Sequence, residues 1–110
     1  MKQKIRQPMN RKIYANREEW ISEAKRLFGE DPEKWVFECV ICKNKQSIES
    51  VLQHNSSLDR KNIPDWIYFS CEGRFTKGQG CDWTLGGLFH VHEAEVLHEG
   101  ESMPVFLFGE

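Results

Sequence analysis

The chain has 110 residues, a formal net charge of −2, four Cys, four Trp and seven Phe. The length fits one small domain, and a domain of this size buries a limited core, so a covalent or metal staple is useful to it. The aromatic content excludes a disordered composition, and no apolar run approaches the length of a membrane span.

Residues 1–12, MKQKIRQPMNRK, show no periodicity and contain Pro8. They are expected to form a basic arm ahead of a single domain at 13–110. The arm has no apolar stretch and no small-residue cleavage site, so no secretory signal is expected. The expected location is therefore a reducing cytoplasm, where thiols stay reduced. Lys2, Lys4, Arg6, Arg11 and Lys12 could contact phosphates or an acidic protein surface. Residues 78–110 carry six acids and no Lys or Arg, so charge is segregated along the chain.

Residues 17–28 predict a helix. Asn16 is a suitable N-cap and Glu19 follows three places later. Trp20, Ile21, Ala24, Leu27 and Phe28 make one apolar stripe. Gly29 suits the residue after the last turn, and Asp31-Pro32 starts a turn. Residues 35–39 read as a strand ending on Cys39. Ser47 is placed to cap a short helix with Ile48, Val51 and Leu52, stopping near Asn55. Residues 66–70 read as a second strand leading into Cys71. Runs at 94–98 and 104–108, separated by HEGES, predict a C-terminal β-hairpin. The expected fold is α+β, a helix packed on a mainly antiparallel sheet.

The four cysteines form two groups, Cys39-x2-Cys42 and Cys71-x9-Cys81. A two-residue spacing lets both sulfurs reach one ion from a tight turn. The longer gap requires a loop that folds back, and Gly73, Gly78 and Gly80 make that reversal accessible. Zinc accepts four thiolates in a closed tetrahedron, so a zinc-ribbon-like site at Cys39, Cys42, Cys71 and Cys81 is expected. Disulfides, free thiols, a redox pair and an iron–sulfur cluster are the rival readings. No thioredoxin-like βαβ pattern surrounds the CxxC, and the spacing matches no ferredoxin pattern. His90 and His92, with His98 or His54, could instead form a catalytic metal site, or one could replace Cys71 or Cys81. Nucleophile-elbow and phosphate-loop motifs are missing, which disfavours an enzyme. Arg74, three residues after Cys71, could brace the loop or face an anion.

The runs WxxEAKRLFGEDPEKWVFEC, CxxCxxxQS, YFSCEGRF and GCDWTLGGLF resemble a group of small proteins of bacteriophages and prophages. The matching positions span residues 20–89 and include Trp20, Gly29, Trp35, Phe37, the four cysteines, Gln46, Ser47, Gly73, Arg74 and Gly86 to Phe89. Val40 and Lys43 depart from the Pro and Gly of that group. The resemblance implies a viral or mobile-element origin within a bacterial host cell and no particular activity. The functions expected are, in order, a non-enzymatic zinc module that binds a host or phage protein, a nucleic-acid-binding zinc ribbon using the basic arm, and a hydrolase using His90 and His92. Inhibition of a host defence system belongs to the first class.

Overall fold

The computed structural model describes residues 12–76, 78–85 and 92–109. Two three-stranded sheets and two helices make up the α+β domain. The strands are β1 (Lys12–Tyr14), β2 (Phe37–Glu38), β3 (Lys45–Gln46), β4 (Ala94–His98), β5 (Glu101–Val105) and β6 (Leu107–Phe108). The helices are α1 (Arg17–Phe28) and α2 (Ile48–His54), with 3-10 turns at Pro32–Lys34, Ile63–Asp65 and Glu72–Arg74.

Helix α1 begins and ends where local chemistry dictates. The Asn16 Oδ1 accepts from the Glu19 amide at 2.8 Å, and the Glu19 carboxylate accepts from the Ala15 amide. At the other end Gly29 takes φ 96°, and its N–H closes on the Lys25 carbonyl at 2.8 Å. Of the stripe, Trp20 and Ala24 are buried while Ile21, Leu27 and Phe28 are half-buried. Helix α2 has a reciprocal cap, with Ser47 and Ser50 side chains each accepting the other's amide. Asn55 ends it.

One sheet has the order β1-β4-β5 and the other β3-β2-β6. β4 and β5 are antiparallel, with Val96 opposite Met103 and Ala94 opposite Val105. Ala94, Val96 and Val105 are fully buried on this sheet, with Glu95 and Pro104 between them only half-buried. The second sheet is short, with Phe37 opposite both Gln46 and Phe108. Phe106, between β5 and β6, turns the chain from one sheet to the other. It is fully buried and its amide donates to the Tyr68 carbonyl at 2.7 Å. An aromatic cluster joins α1 to the second sheet: Trp20 meets Tyr68 at 5.4 Å, and Phe108 meets Phe37 at 5.5 Å and Phe28 at 5.8 Å between ring centroids. Such pairs add directional energy to the area they bury.

The structure departs from the sequence reading in four places. Lys12 is not the end of an arm but the first residue of β1, which pairs in parallel with β4; burial of Tyr14 at the far end of this strand anchors it. The first strand is shorter than 35–39, because Trp35 closes the 3-10 turn at Pro32–Lys34 and its indole donates to the Gly29 carbonyl. Residues 66–70 are not a strand. The Ile67 amide bonds the Ile63 carbonyl and the Ser70 amide bonds the Trp66 carbonyl, which are helical-turn contacts; only Ser70 bridges to Thr84. Finally, the hairpin turn is two residues, not five. Glu99 and Gly100 both take positive φ, 50° and 84°, as a type I′ turn requires. β5 therefore starts at Glu101, and Leu107 and Phe108 belong to the other sheet.

Two substitutions separate core packing from helix capping. Phe106→Ala removes a large ring with no solvent to fill its place and is expected to cost about 3–5 kcal/mol. Asn16→Ala loses one cap bond and is expected to cost about 1 kcal/mol. Urea unfolding of the metal-loaded protein measures both.

Candidate metal centre

The cysteine groups sit on elements that bring them face to face. Cys39 directly follows β2, and the chain reverses through Val40-Ile41-Cys42 into β3. The Cys39 amide donates to the Asn44 carbonyl at 2.9 Å and the Lys43 amide to the Cys39 carbonyl at 3.0 Å. Lys43 holds φ 65°, the left-handed region, at the position where the resembling group has glycine. Cys71 is tied to the returning chain by its amide, which donates to the Trp83 carbonyl at 2.9 Å.

The four Sγ atoms all lie within 4.8 Å of one another. Cys39 is 3.7 Å from Cys81, and Cys42 is 3.7 Å from Cys71. Four thiolates around one tetrahedral ion with metal–sulfur bonds near 2.3 Å are about 3.8 Å apart. A disulfide needs about 2.05 Å, and all four cysteines are free. Backbone amides converge on the sulfurs. The Cys81 amide donates to the Cys71 sulfur at 3.2 Å. The Gly73 amide also serves Cys71, those of Ile41 and Cys42 serve Cys39, and that of Asn44 serves Cys42. Such bonds spread thiolate charge.

Burial pushes the Cys39 thiol up to about 12 despite its two amide donors, and raises that of Cys71 as well. At Cys42 burial acts in the same sense, but the Asn44 amide and the neighbouring sulfurs outweigh it and lower the value. Buried sulfurs that resist carrying charge alone become stable thiolates once a cation sits among them. The donor set thus fits a metal ion.

Two glycines allow this approach. A Cβ on Gly73 would stand 2.1 Å from the Cys81 carbonyl oxygen. One on Gly80, which has φ +75°, would stand 2.6 Å from the Cys71 sulfur. Behind the sulfurs lies a polar knot that the sequence reading missed. Glu72 is fully buried. Its carboxylate accepts from Asn44 Nδ2 at 2.7 Å and meets His54 Nδ1 at 2.7 Å. Its amide donates to Gln46 Oε1 at 2.8 Å, while Gln46 Nε2 donates to the Ile67 and Ser70 carbonyls. Asn44 and Gln46 follow the first cysteine pair, and Glu72 adjoins Cys71. Their hydrogen bonds therefore clamp the two cysteine groups together. The only sequence signal was the Gln46-Ser47 pair in the resembling motif.

Other predicted residues are placed elsewhere. Arg74 is exposed and its Nη1 donates to Thr84 Oγ1, which also bonds Ser70 Oγ. His54 is committed to Glu72. His92 meets Glu95 at 2.8 Å, and Ser102 donates to the other Glu95 oxygen. His98 lies beside Glu99 at the hairpin turn. Among the described residues, the four cysteines are the group assembled for a metal. His90, Gly86 to Phe89, and Lys2, Lys4, Arg6 and Arg11 lie outside the described residues. No helix among the described residues is long and apolar enough to cross a membrane.

The family follows from a comparison over the same stretch. The VVA0879-like family model matches residues 16–109. The chain belongs to this family. The match begins at the N-cap of α1 and covers both cysteine groups and every strand after β1. No curated protein and no solved structure matches the chain.

Gly80→Ala is expected to weaken metal binding at least about tenfold by intruding on the Cys71 sulfur, and Glu72→Ala to weaken it about 10–100-fold by loosening Asn44. Competition against a colorimetric chelator reads both. Binding unchanged in Glu72→Ala would show that the clamp does not organise the ligands.

Proposed function

We propose that this chain is a zinc-stabilised, non-enzymatic module that acts by binding another protein. The observation that carries this reading is the closed set of four sulfurs at tetrahedral spacing. Zinc suits it because the ion prefers thiolates in a tetrahedron and has no redox chemistry. Sulfurs this close together suit a single ion better than a cluster.

Such a set leaves no ligand position for water or substrate, which is the arrangement of structural rather than catalytic zinc. The metal then replaces part of the core that a chain of this length cannot supply. The remaining surface is free to act as a recognition face. The resemblance to phage and prophage proteins makes a host machine, including a defence system, the partner class to test first. Nucleic-acid binding through the basic arm gains little from the described residues: Lys12 sits in β1, 5.6 Å from the centre of the Tyr14 ring. A hydrolase built on His90 and His92 gains no support from the described residues, where the group assembled for a metal is the four cysteines.

Native mass spectrometry is expected to show one zinc ion per chain. Chelation is expected to unfold the domain, with loss of near-UV circular dichroism. Metal retention should fall as the pH is lowered, because protons compete with zinc for the thiolates. Affinity purification of the full chain from infected bacterial cells should recover a host or phage protein. A chain that stays folded and binds no zinc, or that recovers no partner, contradicts the respective half of the reading.

A further inference from the structure

On the side of the domain lined by α1 lies a cleft that the metal centre does not use. One cavity of about 300 Å³ is lined by Trp20, Ile21, Trp35, Ile48 and Tyr68, among others. A second, of about 250 Å³, is lined by Trp20, Tyr68, Met103 and His98. The two share Arg17, Trp20 and Tyr68, so they form one groove with Arg17 on its wall. Two Trp, one Tyr and one Arg make the residue mix that dominates binding energy at protein interfaces.

Three features give the groove a preference for an anion with an apolar body. Arg17 makes no ion pair or hydrogen bond within the described residues, although the neighbouring Lys25, Arg26 and Lys34 all pair with carboxylates. No described residue lining either cavity is a carboxylate. Trp20, nine-tenths buried, forms part of the apolar wall of both cavities. The groove thus offers an uncommitted cation on apolar walls. On a chain of net negative charge, this is a local site for an anion with an apolar body.

We infer that this groove docks a partner peptide through one large apolar side chain followed by carboxylates, the apolar group seated among Trp20, Trp35 and Tyr68 and an acid paired with Arg17. A cavity of this size sits at the small end of ligand pockets, which suits an anchoring side chain better than a cofactor. The inference rests on the protein-binding reading above and names the face that performs it.

The test uses the zinc-loaded full chain, labelled with ¹⁵N, and follows the tryptophan indole N–H resonances. The probes are an acetylated tripeptide of phenylalanine followed by two glutamates, its diglutamine counterpart, and oligothymidylate. The acidic peptide is expected to shift the Trp20 and Trp35 resonances saturably. The diglutamine peptide should bind about tenfold more weakly, and Arg17→Gln should weaken the acidic peptide by a similar factor, as loss of a complementary charge requires. Arg17 is exposed, so this variant keeps the fold. Absence of a saturable shift, equal binding by both peptides, or unchanged binding by Arg17→Gln overturns the inference. So does a shift of these resonances by oligothymidylate in place of the peptide. If the partner recovered from cells still binds the Arg17→Gln chain, the groove is excluded while the protein-binding reading stands.

Discussion

Four sulfur atoms, drawn from positions as far as 42 residues apart, meet within 4.8 Å of one another. Closing so long a loop has an entropic cost, and a small core has little surplus to offset it. The cost is met twice, by the sulfurs and by the Gln46–Glu72–Asn44 hydrogen bonds behind them. Each bond in that knot spans the two cysteine groups or pins the segment between them. A buried carboxylate is expensive unless satisfied, and Glu72 has a partner on each oxygen. The knot therefore selects one register for the two halves as well as holding them together.

The aromatic cluster serves the other end of the domain. Phe108 contacts Tyr14, Phe28 and Phe37, so the last strand locks β1, α1 and β2 to one another. Phe106 is the neighbouring pivot between sheets. The two sheets are small, and neither has the length to be stable alone. They persist because the chain passes from one to the other at a buried ring.

Elements governed by local rules could be read from the sequence. Asn16 with Glu19 and Gly29 bounded the first helix, and Ser47 set the start of the second and Asn55 its approximate end, since capping bonds involve partners a few positions away. The cysteine set was legible because CxxC spacing has few geometric uses. Strand β4 was found, but its partner was displaced, because Glu99-Gly100 makes the tighter turn and the longer HEGES string hid it. The 66–70 run, WIYFS, has strong strand propensity. Its backbone instead follows helical turns because Gln46, some twenty residues away, takes up the Ile67 and Ser70 carbonyls. Parallel pairing of β1 with β4 and the burial of Glu72 are likewise non-local, and no window of sequence encodes them.

The ligands are unequally protected. Cys39 and Cys71 are sealed in the core, Cys81 is intermediate, and Cys42 faces solvent. Its sulfur is also the one whose acidity is enhanced. Soft electrophiles, oxidants and competing thiols therefore reach Cys42 first, ahead of the partly covered Cys81. Dismantling should proceed outward-in from that corner, which makes the lifetime of the fold a matter of how well one thiolate is guarded.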